Sequence, residues 1–228
     1  MSLHHLQVRE APANRLPHRF DGRGVGSLSS AELLSLFFGC SGTGRASIDI
    51  AQDALATLGG IDAVFAADEP TLCAISGLGP SAHSRLRAAL ELVRRVTFED
   101  LCRRDVLASP EDVRRYLALH LAGLTQEVFG ALFLDNRHRV IAYRELFVGT
   151  IDSAAVYPRE VVRCCLALNA AAVIFAHNHP SGMAEPSDTD VRLTRKLVDA
   201  LALIDIRVLD HLVVGKGVTT SLAERGLM

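Results

Sequence analysis

Seven consecutive apolar residues, Ala170-Ala171-Ala172-Val173-Ile174-Phe175-Ala176, run straight into His177-Asn178-His179. An unbroken apolar run of this length fits a β-strand covered on both faces; a strand wet on one side would alternate apolar with polar residues. It is far short of the roughly 20 residues that a membrane helix needs. The rest of the chain must therefore supply cover for both faces of a sheet. Composition allows it: 49% hydrophobic and 22% charged residues exclude a largely disordered chain and a small disulfide knot.

The texture around this strand is mixed after about residue 105. Val128–Leu134 and Arg139–Val148 are β-rich runs joined by Asp135-Asn136-Arg137-His138, a hairpin signal. Pro158–Leu168 is amphipathic with Pro in the first helical turn, where its missing N–H is harmless. Ser187–Leu203 reads as a helix, and Ile206–Val214 and Val218–Leu222 as strands around Gly215-Lys216-Gly217. The order is strand, strand, helix, strand, helix, strand, strand. Before residue 105 the apolar spacing is helical throughout: Glu32–Phe38 behind a Ser29/Glu32 capping box, Ile48–Leu58, Ile61–Ala67, Glu69–Ala74 and Pro80–Val96. These patterns predict a small all-α domain over residues 1–104, with 1–25 as a flexible lead-in, followed by a mixed-sheet α/β domain over residues 105–228.

Chemistry concentrates where the buried strand ends. Side chains alternate along a strand, so His177 and His179 point the same way. Asp190, eleven residues after His179, falls in the first turn of the next helix. Two imidazoles and a carboxylate make three ligands of a tetrahedral zinc and leave a fourth position for water. Ser187-Asp188-Thr189-Asp190 also reads as a capping box, with Ser187 at the N-cap and Asp190 at N3.

The pattern H-x-H, seven residues, Ser, two residues, Asp resembles the JAMM signature of the JAB/MPN metalloproteases, with His177, His179, Ser187 and Asp190 in place. His177-Asn178-His179-Pro180-Ser181-Gly182 is similar to the RadC branch of that superfamily. So are Tyr157-Pro158-Arg159-Glu160-Val161, Asn169-Ala170-Ala171-Ala172 and Asp210-His211. The resemblance implies a JAB/MPN domain preceded by a helix-hairpin-helix segment. It also implies zinc as cofactor, hydrolysis of a peptide or isopeptide bond in a protein or peptide substrate, and a glutamate upstream of the site. Glu127, in Gln126-Glu127-Val128-Phe129, matches that glutamate; Glu145 and Glu160 are its rivals. In the implied mechanism His177, His179 and Asp190 hold zinc, Glu127 is general acid/base, and Ser187 stabilises the oxyanion. Met183-Ala184-Glu185 departs from the Asp-Pro-Thr usual in the family.

In the helical domain, Ile75-Ser76-Gly77-Leu78-Gly79-Pro80-Ser81-Ala82 reads as a helix-hairpin-helix turn. Gly77, Gly79, Ser81 and Arg85 would touch a DNA backbone without reading bases. Charge argues that such contact is weak: 11 cations face 11 anions over residues 1–104 and 13 face 15 over residues 105–228. An accessory DNA-repair protein with a non-catalytic metal is thus the alternative to the hydrolase, and a metal-dependent nuclease ranks behind both. The letters His-Asn-His do not make an HNH nuclease, whose residues are dispersed. A zinc deaminase needs H-x-E and C-x-x-C, and neither is present. The five cysteines form no C-x-x-C pair and read as reduced thiols, with Cys164-Cys165 as small apolar residues of a helix. No charged-then-apolar leader opens the chain. The expectation is a cytoplasmic protein, off the membrane, in which a homo-oligomer is allowed.

Overall fold

The computed structural model describes residues 24–39, 44–103, 106, 109–149 and 156–228. The expected lead-in over 1–25 falls almost wholly outside them, as does Cys40. The chain divides into two compact units, Met1–Glu91 and Leu92–Met228.

The first unit is helical. After a short 3₁₀ turn, α1 (Ser30–Phe38) starts on the expected capping box: Ser29 accepts from the Glu32 N–H and Glu32 reaches back to the Ser29 N–H. Then come α2 (Ser47–Leu58), stopped by Gly59 in the left-handed conformation, α3 (Ile61–Ala66), and α4 (Glu69–Cys73), capped by Asp68. The first part of α5 (Pro80–Cys102) completes the unit. Leu34, Phe38, Ile50, Leu72, Ala82 and Leu86 lie in its core, the last two one helical turn apart on α5.

The second unit holds a five-stranded sheet in the order β2-β1-β3-β4-β5. The strands are β1 (Val128–Leu134), β2 (Val140–Val148), β3 (Ala172–Asn178), β4 (Arg207–Val214) and β5 (Thr219–Ser221). Only β3 and β4 pair in parallel, joined by the helix α8 (Asp188–Ala202) as a crossover. Every residue of β1 and β3 is buried, as the apolar run requires. One face of the sheet presents Leu132, Leu134, Ala172, Ile174 and Ala176 to α6 (Pro110–Leu121) and Leu101. The other presents Phe129, Phe133, Val173 and Phe175 to α7 (Pro158–Ala167) and α8.

Three features differ from the sequence reading. The helix α6 was not anticipated: Ser109 gives it no side-chain cap, and consecutive Arg114 and Arg115 blur its apolar stripe of Val113, Leu117 and Leu121. Strand β3 starts at Ala172 and runs on to Asn178, because His177 pairs with Phe129 and Asn178 with Val214. The helix α5 continues past Val96 to Cys102, and the division into compact units falls within it, at Glu91/Leu92. Its second half belongs to the sheet unit, with Leu101 buried there and Phe98 and Cys102 packed alongside. No described helix is long and apolar enough to cross a membrane.

A fragment 92–228 is therefore expected to unfold cooperatively at a higher temperature than a fragment 105–228, which lacks Leu101 and Phe98. Deleting one buried leucine side chain alone costs about 2–5 kcal/mol. Equal thermal midpoints, followed by circular dichroism, would contradict this division.

Candidate metal centre

The pleat of β3 sorts its last residues. His177 follows Val173 and Phe175 to the α8 side, whereas Asn178 follows Ala172, Ile174 and Ala176 to the α6 side. On the α8 side His177 Nε2 lies 3.0 Å from His179 Nε2 and 3.4 Å from Asp190 Oδ1. His179 Nε2 lies 3.6 Å from Asp190 Oδ2. Two ligands of a tetrahedral zinc at about 2.0–2.1 Å stand roughly 3.3 Å apart, so these separations fit one ion. Among the described residues these three side chains are the one group whose donor atoms, all within 4.8 Å, could hold a metal. His177 is 1% exposed, Asp190 13% and His179 20%, so access is from the His179 side.

Each donor is held from behind. Ser187 donates to Asp190 Oδ2 from its N–H (2.7 Å) and its hydroxyl (2.7 Å), and its Oγ accepts from the Asp190 N–H (3.2 Å). The capping box and the ligand reading thus coexist: Oδ2 closes the cap while Oδ1 turns to His177. Burial alone would raise the Asp190 carboxyl. The neighbouring His177 imidazole and the hydrogen bonds from Ser187 outweigh it and hold the group far below the usual carboxylate range. It is ionised at neutral pH.

His179 Nδ1 lies 2.9 Å from the Met183 carbonyl, which can only accept; the proton is therefore on Nδ1, and Nε2 keeps its lone pair. The loop that brings Met183 there is seated by Gly182 N–H to His179 O (2.9 Å) and Lys216 N–H to Gly182 O (2.8 Å). A Cβ at Gly215 would meet the Gly182 oxygen at 2.4 Å, so only glycine allows this approach. The departure at Met183-Ala184-Glu185 is thereby explained: Met183 contributes its backbone carbonyl, its side chain is exposed, and Glu185 pairs with Arg225.

Sequence reasoning gave no role to two residues behind His177. His211 Nε2 lies 2.8 Å from His177 Nδ1, and the Thr194 hydroxyl 2.6 Å from His211 Nδ1. Asp210-His211 entered only as a family string. A bulge in β4 at Leu209, where the register with β3 shifts, turns His211 onto the α8 side; simple alternation would have placed it with Leu209 on the other face. Thr194 lies four residues after Asp190 on α8, the one local hint. Burial, with His177 adding to it, pushes the His211 imidazole well below its ordinary value, so it is neutral.

Glu127 stands one residue before β1 and is half-buried. Phe129 and His177 are the last antiparallel pair of that ladder; the same register carried two residues further would set Glu127 opposite His179. Glu127 lies outside the three-ligand group. Asn178 fixes this segment: its Oδ1 accepts from Val128 N–H (2.8 Å) and its Nδ2 donates to Gln126 O (3.0 Å). Of the rivals, Glu160 is paired with Arg163 in the first turn of α7, and Glu145 sits opposite Gly130 on β2. Cys165 is buried in the core under α7, where burial pushes its thiol up to about 12 and Cys164 adds to the shift; it is not a nucleophile.

In the helical unit Gly77 has φ +100°, and a Cβ there would meet Ile50 Cδ1 at 2.5 Å. Gly79 has open space, and Ser81 is exposed in the first turn of α5. Arg85 donates to the Phe37 carbonyl (3.1 Å) at the end of α1. Gly77 and Arg85 therefore have structural work that needs no nucleic acid.

Comparison with known proteins agrees with this geometry. The RadC-like JAB domain family matches residues 107–227, and the UPF0758 N-terminal family matches residues 4–84. A UPF0758 protein of Thioalkalivibrio sulfidiphilus is 51% identical over 224 residues, covering 98% of this chain and 100% of its own. One of Marinobacter nauticus is 52% identical over 218 residues, covering 95% and 97%. The chain belongs to the RadC-like JAB domain family.

Gly77→Ala is expected to destabilise the helical unit by about 1–3 kcal/mol through strain at positive φ, whereas Gly79→Ala leaves it nearly unchanged. Thermal denaturation of the two variants checks this; equal midpoints would show that Gly77 is not a packing glycine.

Proposed function

We propose that this protein is a zinc-dependent hydrolase acting on peptide or isopeptide bonds. The observation that carries the reading is the convergence of His177, His179 and the Asp190 carboxylate at one accessible point: the two Nε2 atoms are 3.0 Å apart, Asp190 Oδ1 lies 3.4 Å from His177 Nε2, and Oδ2 lies 3.6 Å from His179 Nε2. The donors are nitrogen and oxygen only, and three of them leave a fourth position open, whereas a purely structural zinc normally has four protein ligands. That favours the enzyme over the accessory protein with a non-catalytic metal.

Zinc bound there would polarise the scissile carbonyl and acidify a water. Glu127, one residue before β1, would take a proton from the attacking water and deliver it to the leaving amine, as a C–O bond forms and the C–N bond breaks. The Ser187 hydroxyl would turn from Asp190 Oδ2 to the carbonyl oxygen as negative charge develops there. At a helix N-terminus it is helped by the positive end of the α8 dipole.

Glu127→Gln is expected to keep zinc, by elemental analysis, and to lose about 10²–10⁴-fold in cleavage of a panel of peptide and isopeptide conjugates. Asp190→Ala should lose the metal itself. Ser187→Ala should keep metal, lose about 1 kcal/mol of helix capping and lose roughly 10²–10³-fold in rate. Full activity in Glu127→Gln with none in Glu145→Gln would mean the wrong glutamate is named. A zinc-loaded parent that cleaves nothing would favour the accessory reading.

A further inference from the structure

We propose that His211 and Thr194 are positioning residues that preset His177 to offer its Nε2 lone pair to the metal. The inference rests on the metal-site reading and follows from counting protons. The Thr194 hydroxyl lies 2.6 Å from the Asp190 backbone carbonyl and 2.6 Å from His211 Nδ1. A carbonyl accepts only, and a hydroxyl has one hydrogen, so that hydrogen goes to Asp190 O. The reverse assignment would press two oxygens together at 2.6 Å with no hydrogen between them.

The remaining protons then have single places. His211 Nδ1 must donate to Thr194 Oγ1. His211 is fully buried among Phe129, Phe175 and His177. In this Nδ1–H tautomer the lone pair is on Nε2, which accepts from His177 Nδ1 at 2.8 Å. His177 Nε2 is then bare. His179 Nε2 is bare as well, since its proton is on Nδ1 against Met183 O. Two lone pairs and a carboxylate thus face one point with no hydrogen among them, an arrangement that calls for a cation. The chain closes on itself: the residue whose carboxylate is a ligand also anchors, through its backbone carbonyl, the tautomer of another ligand.

Thr194→Val keeps shape and removes the hydroxyl. His211 Nδ1 then has no acceptor, and the alternative His211 tautomer, Nε2–H, would force His177 to carry its own proton on Nε2. Thr194→Ser restores the hydroxyl. His211→Phe removes the acceptor altogether.

The test uses full-length protein. Zinc affinity is measured by competition with a chromophoric chelator, and the protonated nitrogen of each histidine is identified by ¹⁵N NMR of the metal-free protein. The expected result is Nδ1–H on His177 and His211 in the parent, zinc affinity about 10–100-fold weaker in Thr194→Val and His211→Phe, and affinity restored in Thr194→Ser. A proton on Nε2 of His177 in the parent, or unchanged zinc affinity in Thr194→Val, overturns the inference while leaving the hydrolase reading standing. A parent that takes up no zinc defeats the hydrolase reading instead, and the NMR spectrum still decides the tautomers.

Discussion

Side-chain alternation along a strand with no wet face is the constraint from which the rest of the structure follows. Because β3 lies between β1 and β4 and is covered on both sides, every residue on it must find a partner in the protein. Its apolar residues do so in the two cores. Its two polar residues at the exit do so in opposite directions: His177 toward α8 and His211, Asn178 toward the segment that leads into β1. One pleat therefore sets the candidate ligand His177 on one side and ties down the segment leading into β1 on the other.

The same economy holds at α8. Asp190 stands in the first turn of a helix and is also a candidate ligand: Oδ2 closes the cap and lies 3.6 Å from His179 Nε2, while Oδ1 lies 3.4 Å from His177 Nε2. Thr194, one turn later, ties the same helix to His211. Rigid elements thus set every donor, and only His179 depends on a loop, itself fastened to Gly215 and Lys216. Such a site loses little entropy on taking up an ion, because its side chains are already ordered.

Much of this was legible in the sequence, and the limits have physical causes. The two-face burial of β3, the Ser29 and Ser187 capping boxes and the grouping of His177, His179 and Asp190 all rest on short-range spacing, which a sequence displays directly. Helix α6 escaped because its N-cap side chain makes no bond and paired arginines interrupt its pattern. The division of the chain inside α5 escaped because helical periodicity continues unchanged while the core it faces does not. His211 escaped because a bulge reverses its face, and a bulge is settled by pairing between β3 and β4, more than thirty positions apart. Nothing local marks such a residue; a histidine beside Asp210 in a strand that is apolar after it is the only trace.

The central claim is that His177, His179 and Asp190 together hold one zinc ion with a position left open. Zinc K-edge X-ray absorption on the zinc-loaded protein tests it most directly. The account predicts nitrogen and oxygen neighbours at about 2.0–2.1 Å, the scattering pattern of two imidazoles and no sulfur. Sulfur at about 2.3 Å, or an imidazole pattern unchanged in His179→Ala, would contradict it.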